Sequence, residues 1–386
     1  MSAQNVWRKI AVVISAIILL IAIFALEPSH VQERASVIGI GVDKAENQYE
    51  ISVQVIVPTG GSSDSQQTDY KGVISAKGIN LGDAINNLST IMGRKLLLMH
   101  CNVMVIGETL DNDNLLEFID YIMRTNRIND SAFIMRSAVS AKELLSMQST
   151  MDSYTSMALQ KSSLEHISRG NTVSVNIMNY AKQTKEAGHC AIIPCIVPVK
   201  VAKPQGDIST SGGANEEVEE YLFNSEQTGV YKNGEFACLM DKSQTKGYNW
   251  IIDEEKLNDG SIESPDFGVK VKKRKADWKV NFDENGDPDV DINVELDVEI
   301  EEKGKLNEPF FYKLEDDMKE ELVSIVKEDI NSLLDLVKRE NADIIGLGIK
   351  MHKKQLKEYR RLYDKYGDDY ISRANFNVNV EIKKKH

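Results

Sequence analysis

Residues 34–58 read RASVIGIGVDKAENQYEISVQVIVP. Two apolar runs flank a turn-rich break, Asp43-Lys44-Ala45-Glu46-Asn47. In the first run Ser36, Ile38, Ile40 and Val42 alternate with Val37, Gly39 and Gly41. In the second, Tyr49, Ile51, Val53, Val55 and Val57 line one face up to Pro58. Successive side chains of a strand point to opposite faces, so the pattern specifies two strands joined as a hairpin.

Outward from this hairpin the chain alternates between strand and helix. Gly60–Gln67 is a flexible loop, and a third strand follows near Tyr70–Ala76. Asn80 can cap a helix that carries Leu81, Ala84, Ile85, Leu88 and Met92 on one face. Lys95–Ile106 is a near-continuous apolar run broken by His100 and Asn102 and is expected to be one strand buried on both faces, ended by Gly107. Helices are expected at Asn114–Arg124, Ala141–Met147, Tyr154–Ile167 and Val173–Ala187, with strands at Ser131–Val139 and Ala191–Val201. Such alternation indicates α/β units.

Residues 203–219 contain KPQGDISTSGGANEE with no apolar period and read as a linker. It divides an N-terminal α/β region, 35–202, from a C-terminal one, 220–386. Beyond it, short strands at Tyr221–Phe223, Gln227–Tyr231 and Glu235–Met240 are expected, the last two joined through Asn233-Gly234, a pair that favours a type I′ turn. Gly268–Trp278 is a basic strand, and in Val290–Ile300 apolar residues alternate strictly with acids and Asn293. Paired antiparallel, the two would match opposite charges across the ladder. A long amphipathic helix spans 314–339, a second Gln355–Tyr366, and Phe376, Val378, Val380 and Ile382 close the chain as a strand. The fold class is α/β or α+β, with mixed sheets covered by helices.

Ile10–Leu26 is a run of seventeen residues without a charge, preceded by Trp7, Arg8 and Lys9. A span needs roughly 20 apolar residues and can manage with about 17. Flanking basic residues keep the N-terminus cytoplasmic, which makes 1–27 a stub with one transmembrane helix and the rest an extracytoplasmic body. A cleaved signal peptide is the competing interpretation; Ile23, two positions before Ala25, fits an A-x-A cleavage pattern poorly. The net charge is −13; Arg8 and Lys9 contribute +2 and no acid precedes Glu27, so the exported part carries −15. That charge disfavours nucleic acid as a partner and keeps the body from lying flat on anionic lipid. Cys101, Cys190, Cys195 and Cys238 are too few for a disulfide scaffold and are read as mostly buried thiols.

No catalytic constellation emerges. Gly39-Ile40-Gly41 lacks the third glycine of a dinucleotide loop, because Lys44 stands there, and it leads into a hairpin rather than a helix. Asp283, Asn285, Asp287, Asp289 and Asp291 resemble a calcium loop, but Pro288 and Val294 replace its glycine and bidentate glutamate, so a turn between charged strands is expected. His100 has no triad-like neighbours and is read as structural, and no metal or cofactor site is expected.

The order of several motifs resembles the Ger(x)C family, the C subunits of spore nutrient germinant receptors. The segments are Val37–Lys44 with the strand to Pro58, Arg94-Lys95 through His100 to Gly107-Glu108, Arg124, Ala141–Leu145, Pro194, Gly229–Lys232, and Asp343-Ile344-Ile345-Gly346-Leu347-Gly348 after the long helix. The resemblance implies a non-enzymatic, multi-domain subunit outside the spore inner membrane, working with polytopic A and B subunits. Gly39, Gly41, Asp43, His100 and Arg124 are the family-matching residues. Asp343, Gly346 and Gly348 form a turn that is either a structural corner or a docking surface for those partners. The family's lipidated cysteine is missing: Glu27-Pro28-Ser29-His30 occupies its place, and the apolar helix takes over the anchoring. A stand-alone extracytoplasmic binding protein or receptor accessory protein is the alternative.

Overall fold

The computed structural model describes residues 7, 13–16, 34–56, 72–111, 115–125, 128–201, 219–252, 260–303 and 314–384. Val13–Ala16 are helical; the rest of Ile10–Leu26 lies outside the described residues, as do Gly60–Gln67 and nearly all of 203–219. No described helix is long and apolar enough to cross a membrane.

The opening hairpin forms as β1 (Arg34–Ala45) and β2 (Gln48–Ile56), antiparallel from Ala45 opposite Gln48 to Ser36 opposite Ile56, with a bulge between Val37 and Gly39. β3 (Val73–Gly78) extends it antiparallel to β2. Asn80 accepts from the Asp83 amide to start α1 (Leu81–Met92), and Gly93, at φ 61°, stops it. The stretch 95–106 is not one strand. β4 (Lys95–Leu97) pairs parallel with Arg34–Ser36, a 3₁₀ turn follows at Leu98–His100, and β5 (Val103–Ile106) pairs parallel with Gly39–Val42. The turn sinks Leu98 into the core and leaves Met99 and His100 exposed, so His100 is not the buried-strand residue that the apolar run suggests.

α2 (Leu115–Thr125), β6 (Phe133–Ser137), α3 (Ala141–Ser146), β7 (Gln148–Ser149), α4 (Thr155–Ser168), α5 (Ile177–Gln183) and β8 (Cys190–Lys200) follow. α5 is shorter than the expected 173–187, because Asn176 accepts from the Asn179 amide and starts it while Val173 and Val175 go into the core as extended chain. β9 (Glu220–Lys232) absorbs two expected strands and joins β10 (Glu235–Met240) through Asn233 and Gly234, at φ 54° and 85°, the positive angles a type I′ turn needs. β9 pairs antiparallel with β8, so the sheet continues across 203–219. Its order is β10-β9-β8-β6-β5-β1-β2-β3, with β4 on β1 and β7 on β9. The parallel centre is covered on both faces, one of them by α3 and α4, under which Val103, Val105, Leu144, Leu145 and Leu159 form their own cluster.

α6 (Lys242–Ile251) opens with a capping box between Asp241 and Gln244. The second sheet has order β11-β12-β13-β14, from β11 (Ser261–Glu263), β12 (Phe267–Phe282), β13 (Pro288–Lys303) and β14 (Asn375–Lys384). α7 (Asp316–Arg339), α8 (Leu347–Lys354), α9 (Leu356–Tyr366) and a 3₁₀ segment, Gly367–Arg373, lie between β13 and β14. α8 was not expected from the sequence. One continuous apolar core includes Val37 and Ile40 of the first sheet and Val294, Leu322 and Ile382 of the second region.

Candidate functional site

Of the residues singled out in the sequence, Gly39, Gly41, Asp43, Asp343, Gly346 and Gly348 gather at two buried aspartates. Asp43, at the end of β1, is 3% exposed. Its Oδ1 accepts from the Ala141 amide (2.8 Å) and the Thr109 hydroxyl (3.1 Å), and its Oδ2 from the Lys142 amide (2.9 Å). The carboxylate thus satisfies donors at the start of α3 that its own turn leaves free. Around it the backbone approaches as closely as glycine allows. A side chain at Gly107 would collide with Asp43, and a Cβ on Gly41 would lie 2.9 Å from that of Ala141. One on Gly39 would lie 2.6 Å from the Ser156 Cβ. Ser156 in turn donates to the Gln54 side chain through its amide (2.9 Å) and hydroxyl (2.7 Å). Three separate segments, around Asp43, Gly107 and Ala141, therefore meet at one carboxylate.

The second node is Asp343, 4% exposed, in the corner after α7. α7 ends at Arg339 with Glu340 as its C-terminal cap, and Asn341 adopts φ 50°. Asp343 Oδ1 accepts from the Leu347 amide (2.8 Å) and Oδ2 from the Gly348 amide (2.6 Å), capping α8; the Tyr370 hydroxyl also donates to Oδ2. Gly346 has φ 76°, a conformation costly for L-residues, whereas Gly348 is needed for space, because a Cβ there would strike the Tyr370 hydroxyl. Gly188, at φ 95°, brings the loop before β8 against the Asp343 side chain. Asp343 thus joins the first sheet to the helices of the second. Burial raises its pKa above that of an ordinary aspartate, against the opposing hydrogen bonds from Tyr370 and the corner's amides. Burial and the nearby Asp343 charge push the Cys190 thiol up to about 12.

His100 and Arg124 belong to neither node. Both are exposed, and Arg124 pairs with Asp120 one helical turn earlier. Sequence reasoning missed Tyr370, Thr109 and the ion pair of a buried arginine with the half-buried Asp111. Arg136 donates from Nε to Asp111 (3.0 Å) and from Nη1 to the Ser137 carbonyl (3.2 Å), with Phe236 under its guanidinium at 4.8 Å. An arginine inside the apolar run FIMRS of a central strand was the available signal.

All four cysteines are free, and three are buried. Burial pushes Cys101 up to about 12 and Cys238 up to about 11, so neither offers a thiolate at neutral pH. Asp283 accepts from the amides of Asn285 (2.9 Å) and Asp287 (2.8 Å), and Asp287 pairs with Arg373 (2.7 Å), as in a turn between charged strands. Among the described residues no three His, Cys, Asp or Glu side chains are grouped to hold a metal ion. The chemistry of both nodes is helix capping and close backbone packing.

Two family profiles match in tandem. One, described as "Spore germination protein N-terminal domain", covers residues 28–198, and another, "Spore germination B3/ GerAC like, C-terminal", covers residues 226–386. Spore germination protein KC of Bacillus subtilis (strain 168) is 20% identical over 95% of this chain and 93% of its own length. Putative spore germination protein YfkR of the same organism is 22% identical over 58% of this chain and 59% of its own length. The crystal structure of the GerBC protein shares the fold at a TM-score of 0.54 and 13% identity, over 90% of this chain and 97% of that one.

Proposed function

The chain belongs to the Ger(x)C family of spore germination proteins, and from that premise we propose that it is the C subunit of a spore germinant receptor. Ile10–Leu26 anchors it in the spore inner membrane with the N-terminus cytoplasmic, and the body stands on the outer face beside polytopic A and B subunits. It acts by assembly and not by catalysis. The observation that carries this reading is the pair of family domains in tandem over nearly the whole chain, on a fold shared with the GerBC protein. The two buried aspartates support it too, since both are committed to helix amides.

The test is to delete the gene, restore it with a tagged copy, and isolate the tagged chain from spore membranes. The expected result is loss and recovery of nutrient-triggered germination, with two polytopic proteins co-purifying. A germination phenotype without any polytopic partner would favour a stand-alone binding protein. A purified chain that turned over a substrate in a His100-dependent manner would overturn the non-catalytic reading. For the anchor, two charged residues placed mid-segment should cost about 2.5–3.5 kcal/mol each in insertion and release the chain from membranes. A mature N-terminus near Glu27 would show cleavage instead.

A further inference from the structure

One end of the first sheet is basic in a chain that is acidic overall. Arg34 opens β1 there, and only residues 27–33 separate it from Leu26. β4 pairs in parallel at that end, Lys95 beside Arg34, and Arg94 lies between it and Gly93, which stops α1. Between α1 and β4 lies an open groove of about 700 Å³, lined by Ile85, Ser89, Thr90, Lys95, Leu97 and Met99. Met99 of its lining is 62% exposed, and Ile91, on the last turn of α1 and facing a neighbouring groove, is 67% exposed. Residues 84–107 carry Arg94, Lys95 and His100 and no carboxylate, in a chain with 59 acids and 46 bases. Among the described residues no carboxylate forms an ion pair with Arg34, Arg94 or Lys95.

We infer that this end of the sheet docks on the surface of an anionic bilayer, so that the body stands end-on on the membrane. The inference rests on the anchor reading for its geometry: seven extended residues reach at most ~25 Å, which holds Arg34 close to the point where the chain leaves the lipid. A lipid interface offers together what the patch needs, anionic oxygens for Arg34, Arg94 and Lys95 and an apolar layer for Met99 and Ile91. Glu27 and Glu33 of the connecting residues oppose three cations and leave the end basic. A second copy docked on the same face would set those cations against their own kind. The body's net negative charge disfavours a flat orientation, and although α8 and α9 also carry bases (Lys353, Lys354, Lys357, Arg360 and Arg361), this basic end is the one tied by residues 27–33 to the anchor.

The experiment uses the full chain in phosphatidylcholine vesicles with and without phosphatidylglycerol, and nitroxide-labelled lipid as quencher. A fluorophore is attached at Met99→Cys or, as a control, at Ile79→Cys, which is 72% exposed just before α1, at the helix's other end. Labelling of the unsubstituted chain corrects for Cys238. Quenching at position 99 and not at 79, stronger with phosphatidylglycerol, is the expected result. Arg94→Gln and Lys95→Gln should each lower the docked-to-undocked ratio about fivefold. Equal quenching at the two positions would overturn the docking face, whether or not the chain resists alkaline carbonate. Carbonate extraction alone reports on the anchor, so failure of one reading is not mistaken for failure of the other.

Discussion

At Asp343 a single carboxylate caps α8, holds Tyr370 and abuts Gly188 across the junction of the two sheets. Asp343→Ala leaves two amides and a hydroxyl without their acceptor, at a cost of about 3 kcal/mol or more. A lower melting temperature with a germination defect in proportion is expected. An unchanged melting temperature with germination or partner pull-down abolished would instead make this corner the docking surface. The raised pKa adds a pH signature. The folded state holds the Asp343 proton more tightly than the unfolded chain does, so this contribution to stability is full below the ordinary aspartate range and is lost as pH rises through the folded pKa. Asp343→Asn cannot titrate. The stability gap between wild type and Asn should therefore narrow as pH is raised through that window, as followed by denaturant midpoints. Gly346→Val tests backbone strain at φ 76°, and Gly348→Ala tests space against Tyr370.

Between elements, α6 and α7 are in backbone contact. Gly247 faces the Asp329 carbonyl with no room for a Cβ, while the Asp329 carboxylate accepts from Ser243 (2.6 Å) and Trp250 Nε1 (3.0 Å). In an exposed helix, Gly→Ala stabilises by about 1 kcal/mol. Here Gly247→Ala should destabilise by about 1–3 kcal/mol, because the helices must separate. The sign of the change in thermal unfolding decides it. The ladder of β12 and β13 forms as the alternating charges require, with Lys273 opposite Asp297, Lys275 opposite Glu295 and Lys279 opposite Asp291. β14 adds Lys383 against Glu295 (3.0 Å) from the other side, and these lysines hold the Glu295 pKa below its ordinary value. Lys275→Glu should lower the melting temperature in dilute buffer, and about 0.5 M salt should recover most of the loss.

For the whole molecule, the continuous core implies that the two sheets do not unfold separately. Val37 and Ile40 belong to the same apolar cluster as Leu322 and Ile382, and the Asp343 node ties the loop before β8 to α8. Calorimetry should give one transition whose van't Hoff and calorimetric enthalpies agree. Gly247→Ala should move that single transition instead of splitting it. Two resolved transitions would mean that the shared core does not couple the sheets.

The sequence by itself determined what depends on near neighbours. Alternation at 34–58 and 290–300, the Asn80 cap, the Asn233-Gly234 turn and the end of α7 near Arg339 all follow from periodicity and turn chemistry within a few residues. The family was legible as well, in the order of its motifs. Only the tertiary structure decided how those motifs meet. Apolar content alone could not reveal that 95–106 breaks at Leu98–His100, because β4 and β5 pair with β1 on either side of a bulge that belongs to a distant strand. Nor could spacing show that Asp43 caps a helix 98 residues away, or that Gly348 is a glycine because of Tyr370. Those are contacts between parts of the chain far apart in sequence, fixed by packing and not by local propensity.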